Sequence, residues 1–283
     1  MNSLNPFKII SNIENESLEF EKMAVKDAVG AAIIYGIILC LIGGFTRVFS
    51  INNKSQLEMF MLNTIMALMI LAATTIIFYK LYIIRSDKDL FLKEVYKKFT
   101  IRNIFYATVA IVGFRIISNN LVIFVLDPFS KILMPKSMLK SIGEIIQMPF
   151  IIYVCIVGPA MEEFVFRGVI LGGLLKKYSG KNSIIVSALL FGIVHLNGIQ
   201  FINGFLLGVL LGYVYVKTKS IYLCMYSHML FNSIAFVLAY VPYMNRTQNL
   251  FVVISLTILG VVFIIYGLKK VSKCKDLDKV PRI

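Results

Sequence analysis

Along most of this chain apolar residues run on without a polar rhythm to break them. The longest stretches predict membrane-spanning helices near residues 28–47, 58–80, 103–126, 143–177, 182–197, 199–217, 221–241 and 248–268. Most are close to the roughly 20 residues that a helix needs to cross about 30 Å of hydrocarbon. The fourth is too long for one straight crossing. It carries Gly158 and Pro159, which predicts either one tilted, kinked helix or two segments meeting at the break. The pattern divides the chain into a polar segment 1–26, a three-span region 27–140 with a loop at 81–102, a core at 141–241, and a last span with a basic tail at 242–283. The expected fold class is an all-α, polytopic membrane bundle of about eight helices, with any active site in the bundle interior.

Composition agrees with this pattern. The chain is 58% hydrophobic and only 16% charged, against about 45–50% and about 25% in soluble domains. Its net charge of +14 is a topology signal more than a binding signal. With the N-terminus inside, 21 of the 29 Lys and Arg fall in inside segments, six fall outside, and Arg115 and Arg167 lie within spans. That asymmetry places both termini in the cytoplasm, and the many Ile, Lys and Asn residues suggest a bacterial plasma membrane. No basic domain exists to carry the charge to a nucleic acid. The first 26 residues lack the apolar run of a cleaved signal peptide, so the first span is expected to direct insertion. Cys40, Cys155, Cys224 and Cys274 are scattered and read as small apolar fillers without disulfides.

Against this background the segment GPAMEEFVFRG stands out. It puts Glu162, Glu163 and Arg167 inside an apolar run. An ionised side chain at the bilayer centre costs on the order of 3 kcal/mol on insertion scales, so such groups normally face the bundle interior and are paired. Glu163 and Arg167 are spaced i, i+4 and can pair on one helix face. Glu162 lies about 100° around the helix without a local partner. The chain has two histidines, and both fall in apolar spans: Phe191 with His195 in FGIVH, and His228 with Asn232 in HMLFN. Each pair is again spaced i, i+4, so each is expected to present one side of its helix. Glu162 and His195 lie at roughly 20 Å of depth from the nearest inside lysine, and His228 at about 10 Å. Three helices could therefore gather two carboxylates, two imidazoles, an amide and a guanidinium around one site.

In this order, Glu-Glu-x-x-x-Arg, Phe-x-x-x-His and His-x-x-x-Asn resemble the motifs of the CPBP intramembrane protease family. That family groups CAAX prenyl endopeptidases with bacterial relatives linked to bacteriocin immunity and peptide maturation. The resemblance covers roughly residues 140–240. It implies a peptide hydrolase acting on a membrane-associated peptide or protein, with the lipid bilayer as its other partner and no nucleic acid. It also implies roles. Glu162 would polarise a water, helped by His195; Glu163, held by Arg167, would shape the site; His228 and Asn232 would donate to the oxyanion. No cofactor is required in that glutamate-type scheme. Alternatively Glu162, His195 and His228 could supply three ligands of a Zn site with water as the fourth. Oligomeric state is not indicated.

Other features stay open at this level. Arg115, Asn119 and Asn120 on the third span are expected to bond other helices or face water, or else to line a substrate cleft. Gly172, Gly173, Gly204, Gly208 and Gly212 read as sites of close helix packing. Tyr213, Tyr215, Tyr222 and Tyr226 read as interfacial anchors. Residues 90–99 could form an amphipathic surface helix. Two rival functions are a transporter with proton-relay carboxylates, which would need a second broken helix, and a family member that protects or scaffolds without cleaving.

Overall fold

The computed structural model describes residues 9, 11–12, 18–50, 56–85, 99–121, 151–239 and 249–271. Every apolar run finds a helix. These are α1 (Val25–Ser50), α2 (Gln56–Tyr82), α3 (Ile101–Leu121), α4 (151–174), α5 (Gly180–Ile193), α6 (Gly198–Thr218), α7 (Ile221–Ala239) and α8 (Leu250–Lys270). Six of them, all but α4 and α5, are long and apolar enough to cross a membrane. The fold is thus a polytopic helical bundle. One element departs from an all-α reading. Strand β1 (Leu18–Phe20) pairs antiparallel with β2 (Ile83–Arg85), with Leu18 opposite Arg85 and Phe20 opposite Ile83. The amphipathic expectation for 90–99 lies almost wholly outside the described residues.

The long fourth run lies outside the described residues up to 150; from 151 it is one continuous helix whose winding changes. It has wide, five-residue turns at Tyr153–Val157 and Phe164–Leu171, with tighter α turns at Gly158–Glu163 between them. In the first wide stretch the Gly158 N–H donates to the Tyr153 carbonyl, five residues back. Continued by one residue, the pattern would require an N–H from Pro159, which has none. Wide turns of this sort collect at functional sites.

The fifth run forms a shorter helix than its hydropathy suggested. Residues 182–197 read as one span, but α5 is only 14 residues long and ends at Ile193. The chain then turns through His195 and Leu196, the latter at φ 52. Asn197 restarts it by capping α6, its side chain accepting from the Ile199 and Gln200 N–H groups. At about 1.5 Å per residue α5 is shorter than the hydrocarbon is thick. This turn delivers His195.

Glycines set how closely the helices approach. A Cβ on Gly208 would sit 2.9 Å from Ala188 Cα, and one on Gly212 would sit 3.0 Å from Ile184. The α5–α6 contact is therefore the small-residue packing expected from the sequence. Gly172 and Gly173 serve another purpose. They admit the N-terminal segment, Gly172 against the Phe20 ring and Gly173 against the Glu21 carbonyl and Met23. The Met23 N–H donates to the Gly173 carbonyl, so the polar leader is tied to the end of α4. Tyr215 is buried and Tyr226 pairs with Thr108 at 2.8 Å, which makes these two internal contacts where interfacial anchors were expected. The Asn120 amide donates to the Val253 carbonyl and Thr257, the interhelical bonding expected of it.

The closest crossing is α3 on α8. Cβ atoms on Gly113 and Gly260 would each fall within 2.7 Å of the other helix's backbone carbonyl. Gly260→Val should force the pair apart and cost roughly 1–3 kcal/mol. Thermal unfolding of purified protein in detergent would register this as a lowered midpoint, with Ile258→Val on the exposed face as the neutral comparison.

Candidate active site

Glu163 is fully buried and divides its carboxylate between two partners. One oxygen lies 3.1 Å from Arg167 Nε, one helical turn away. The other accepts from His228 Nδ1–H at 2.8 Å, across the α4–α7 interface. The i, i+4 pair read from the sequence is therefore formed, and its carboxylate also fixes an imidazole. Phe191 covers the guanidinium, its ring centre 4.6 Å from Arg167 Cζ. The Arg167 terminal nitrogens have no hydrogen-bond partner, so the ring and the carboxylate carry the stabilisation of this cation.

Phe191 sits at the centre of the arrangement. Besides Arg167 on its face, it meets Phe166 at 5.1 Å, His195 at 5.0 Å and His228 at 5.7 Å, all near edge-to-face. Such contacts fix ring planes as well as positions. In Phe-x-x-x-His the phenyl group thus does as much structural work as the imidazole does chemical work.

The two histidines are held by different means. His195 lies past the end of α5, in the turn, so it does not share a helix face with Phe191 as expected. Its own N–H bonds the Gly192 carbonyl. That leaves the Phe191 carbonyl without the partner a continuing helix would supply, and His195 Nδ1 fills the vacancy at 2.8 Å. A carbonyl only accepts, so Nδ1 carries the proton and the other ring nitrogen of the neutral ring keeps its lone pair. His228 is fixed by Glu163 at Nδ1, and its Nε2 lies 3.7 Å from Glu162.

Asn232 is held by the broken helix. Its amide nitrogen donates to the Val154 carbonyl at 2.9 Å, the carbonyl that Pro159 cannot satisfy. The Gly-Pro pair therefore frees an acceptor, and the amide one turn beyond His228 takes it. One amide N–H of Asn232 remains for other use.

Glu162, His195, His228 and Asn232 all line one cavity of about 450 Å³, within the range of ordinary ligand sites. Glu163 and Arg167 stand behind it, buried. Glu162 keeps 21% of its side chain exposed. Sequence reasoning missed Tyr153, Gln200 and Asn203, which also line this space. Their signal was available, since Gln200 and Asn203 are amides in an otherwise apolar helix. Asn203 accepts from Ser118 of α3 at 2.6 Å. Among the described residues no group of three or more His, Cys, Asp or Glu side chains is assembled to hold a metal ion. His228 uses Nδ1 on Glu163 and His195 uses Nδ1 on a carbonyl, which leaves the Nε2 of each ring as the nitrogen that could serve a water or an ion in the cavity.

Comparisons with known proteins match this part of the chain. Residues 144–234 fit the family model of type II CAAX prenyl endopeptidase Rce1-like proteins. YdiL of Bacillus subtilis (strain 168), which bears the name of a membrane peptidase, is 30% identical over 112 residues, 39% of this chain and 46% of that protein. MroQ of Staphylococcus aureus (strain USA300), named as a membrane-embedded CAAX protease, is 38% identical over 90 residues, 29% of this chain and 36% of its own. The match thus spans less than half the length of either relative. No solved structure matches the chain. Residues 144–234, which hold the cavity's polar wall from Glu162 to Asn232, are thus similar to type II CAAX prenyl endopeptidase Rce1-like proteins.

Proposed function

We propose that this protein is an intramembrane endopeptidase that hydrolyses a peptide bond in a membrane-associated peptide. The observation that carries the reading is that Glu162, His195, His228 and Asn232, from three separate helical regions, line a single cavity while Glu163 and Arg167 brace it from behind. Peptide hydrolysis needs a nucleophile, a base and donors for developing negative charge, and these side chains supply the last two.

In this scheme a water enters between Glu162 and His195. Glu162 takes a proton from it as the water oxygen attacks the peptide carbonyl carbon, and the His195 lone pair holds the water's second hydrogen. The carbonyl oxygen becomes an oxyanion, which accepts from the free amide N–H of Asn232 and from His228 Nε2 when that nitrogen is protonated. Collapse breaks the C–N bond, and Glu162 returns its proton to the leaving amine. Glu163 has a different task. It fixes the His228 ring and, with Arg167, keeps a second charge out of the reacting space. No metal enters any of these steps. The chain's basic asymmetry supports cytoplasmic termini, its Ile, Lys and Asn content a bacterial plasma membrane, and the likeness to the two bacterial relatives a peptide precursor as substrate.

Glu162→Gln keeps the shape and removes the base. It should lower cleavage of a membrane peptide by at least about 10²-fold, read by mass spectrometry of membrane peptides, while the unfolding midpoint holds. Retained cleavage would remove Glu162 from the chemistry. Arg167→Met should do the reverse to stability. It leaves Glu163 buried without its cation and should cost on the order of 3–5 kcal/mol, seen as a large drop in the thermal midpoint. Pro159→Ala restores an N–H that competes with Asn232 for the Val154 carbonyl. The turnover rate should fall by about tenfold, less than the roughly 10²–10³-fold of a deleted oxyanion donor, with the Michaelis constant little changed. An unaltered turnover rate would show that the Asn232 tether is idle.

A further inference from the structure

Tyr153 lines the cavity together with Glu162, and the hydrolytic scheme leaves its hydroxyl unused. It opens the first wide turn of α4, and the winding there decides where its ring goes. In an ordinary α turn the side chain four residues on, Val157, would lie over Tyr153. The wide turn moves the fifth residue toward that place, and that residue is Gly158. A Cβ on Gly158 would stand 3.8 Å from Tyr153 Cζ, the ring carbon that bears the hydroxyl. The phenol end therefore lies where Gly158 has no side chain. Glu162 is one α turn beyond Gly158 and, as helical side chains do, leans back over the turn that precedes its own Cα. Phenol and carboxylate thus approach the same glycine from its two sides, and the Glu162 charge acts on the Tyr153 phenol. The Asn232 amide arrives at this level too, 2.9 Å from the carbonyl of Val154, the residue after Tyr153.

We propose that the Tyr153 hydroxyl is a further oxyanion donor, which bonds the carbonyl oxygen of the scissile peptide as its charge develops. The inference rests on the endopeptidase reading and adds one group to its site. During attack the water oxygen bonds the carbonyl carbon, the C=O π pair moves onto the carbonyl oxygen, and the water's proton goes to Glu162. Negative charge thereby leaves the carboxylate and appears on the substrate oxygen. A donor set beside the carboxylate follows that charge by turning its O–H, and a phenol does so without giving up its proton. Asn232 supplies one N–H, and His228 Nε2 donates only when it carries a proton. The phenol is therefore a second donor that serves in every protonation state of the imidazole. Tyr35 of α1 makes an instructive contrast. Its phenol also feels the Glu162 charge, but the residue is buried in the core, meets Phe166 edge-on and is not part of the cavity lining. One phenol reaches the cavity and the other stays behind it.

The test uses full-length protein in lipid nanodiscs and an internally quenched, apolar Leu/Ala-rich peptide. Mass spectrometry locates the bond that is cut. A phosphinate replaces that bond in a second peptide of the same sequence, as a mimic of the tetrahedral intermediate. Tyr153→Phe removes only the hydroxyl. It should lower kcat by at least about tenfold with KM within about twofold, and weaken phosphinate binding by a similar factor. The thermal midpoint and the acid limb of the pH profile should stay where they are. Tyr35→Phe should leave kcat and phosphinate affinity unchanged. An unchanged kcat in Tyr153→Phe overturns the inference. So does a rise in KM with kcat retained, which makes the phenol a contact of the bound substrate, or a displaced acid limb, which makes it a regulator of Glu162 ionisation. An equal loss in Tyr35→Phe overturns it as well, because the effect then lies in the field at the carboxylate. Cleavage that is the same in wild type and Glu162→Gln sinks the endopeptidase reading, and the inference with it. Cleavage that needs Glu162 and ignores Tyr153 sinks the inference alone.

Discussion

A carboxylate buried in a membrane bundle has to be neutralised on every side from which it is approached, and Glu163 meets that demand twice. Its pairing with Arg167 stays within α4, and its bond to His228 crosses to α7. The first interaction alone would be a structural ion pair of modest consequence. The second ties a reactive imidazole to a group whose position the first has already fixed. Phe191 then covers Arg167 and brings in α5 with the turn that carries His195. Three helical regions converge because one charge must not be left in hydrocarbon, and the order at the cavity wall follows from that electrostatic requirement.

The irregular winding of α4 has the same logic in the backbone. Non-helical hydrogen bonding at membrane depth is tolerated where it is buried in protein or lines a water-accessible space. Here the wide turns flank the Glu162–Glu163 pair, and Pro159 withholds one N–H from the carbonyl of Val154. That carbonyl is not orphaned, because Asn232 donates to it. The end of α5 repeats the device. The Phe191 carbonyl lacks a backbone donor and takes one from His195. In both places a break in helical hydrogen bonding supplies the acceptor that orients a polar side chain at the cavity.

Hydropathy alone made the helices legible, because the membrane imposes both a length and an apolar composition on each of them. The spacing of Glu163 and Arg167 made their pairing legible too, since i, i+4 neighbours share a face. The sequence did not disclose what depends on contacts between distant segments. Phe20 fits against Gly172 through the shape of a surface that forms only when the leader folds back. Gly113 and Gly260 match only across two helices far apart in the chain. His195 looked like a residue on a helix face because apolar content continued to residue 197, whereas the helix ended at Ile193 for want of length. Hydropathy measures how a segment partitions and carries no information about where its last hydrogen bond falls. Asn203 was overlooked because one amide among glycines and leucines seemed a minor cost, although its partner Ser118 lay in another span.

The cavity joins two parts of the chain. The wall with Glu162, His195, His228 and Asn232 falls within residues 144–234, the stretch shared with Rce1-like proteins, and its geometry is closed by contacts among those same residues. Helix α3, held by the close glycine crossing with α8, touches two of the cavity's lining residues from outside, Ser118 bonding Asn203 and Arg115 lying on the Phe231 ring. Side chains that carry out a reaction tolerate little displacement, since reacting atoms must be held within tenths of an ångström. A wall that only recognises a ligand can change its side chains while the backbone stays put.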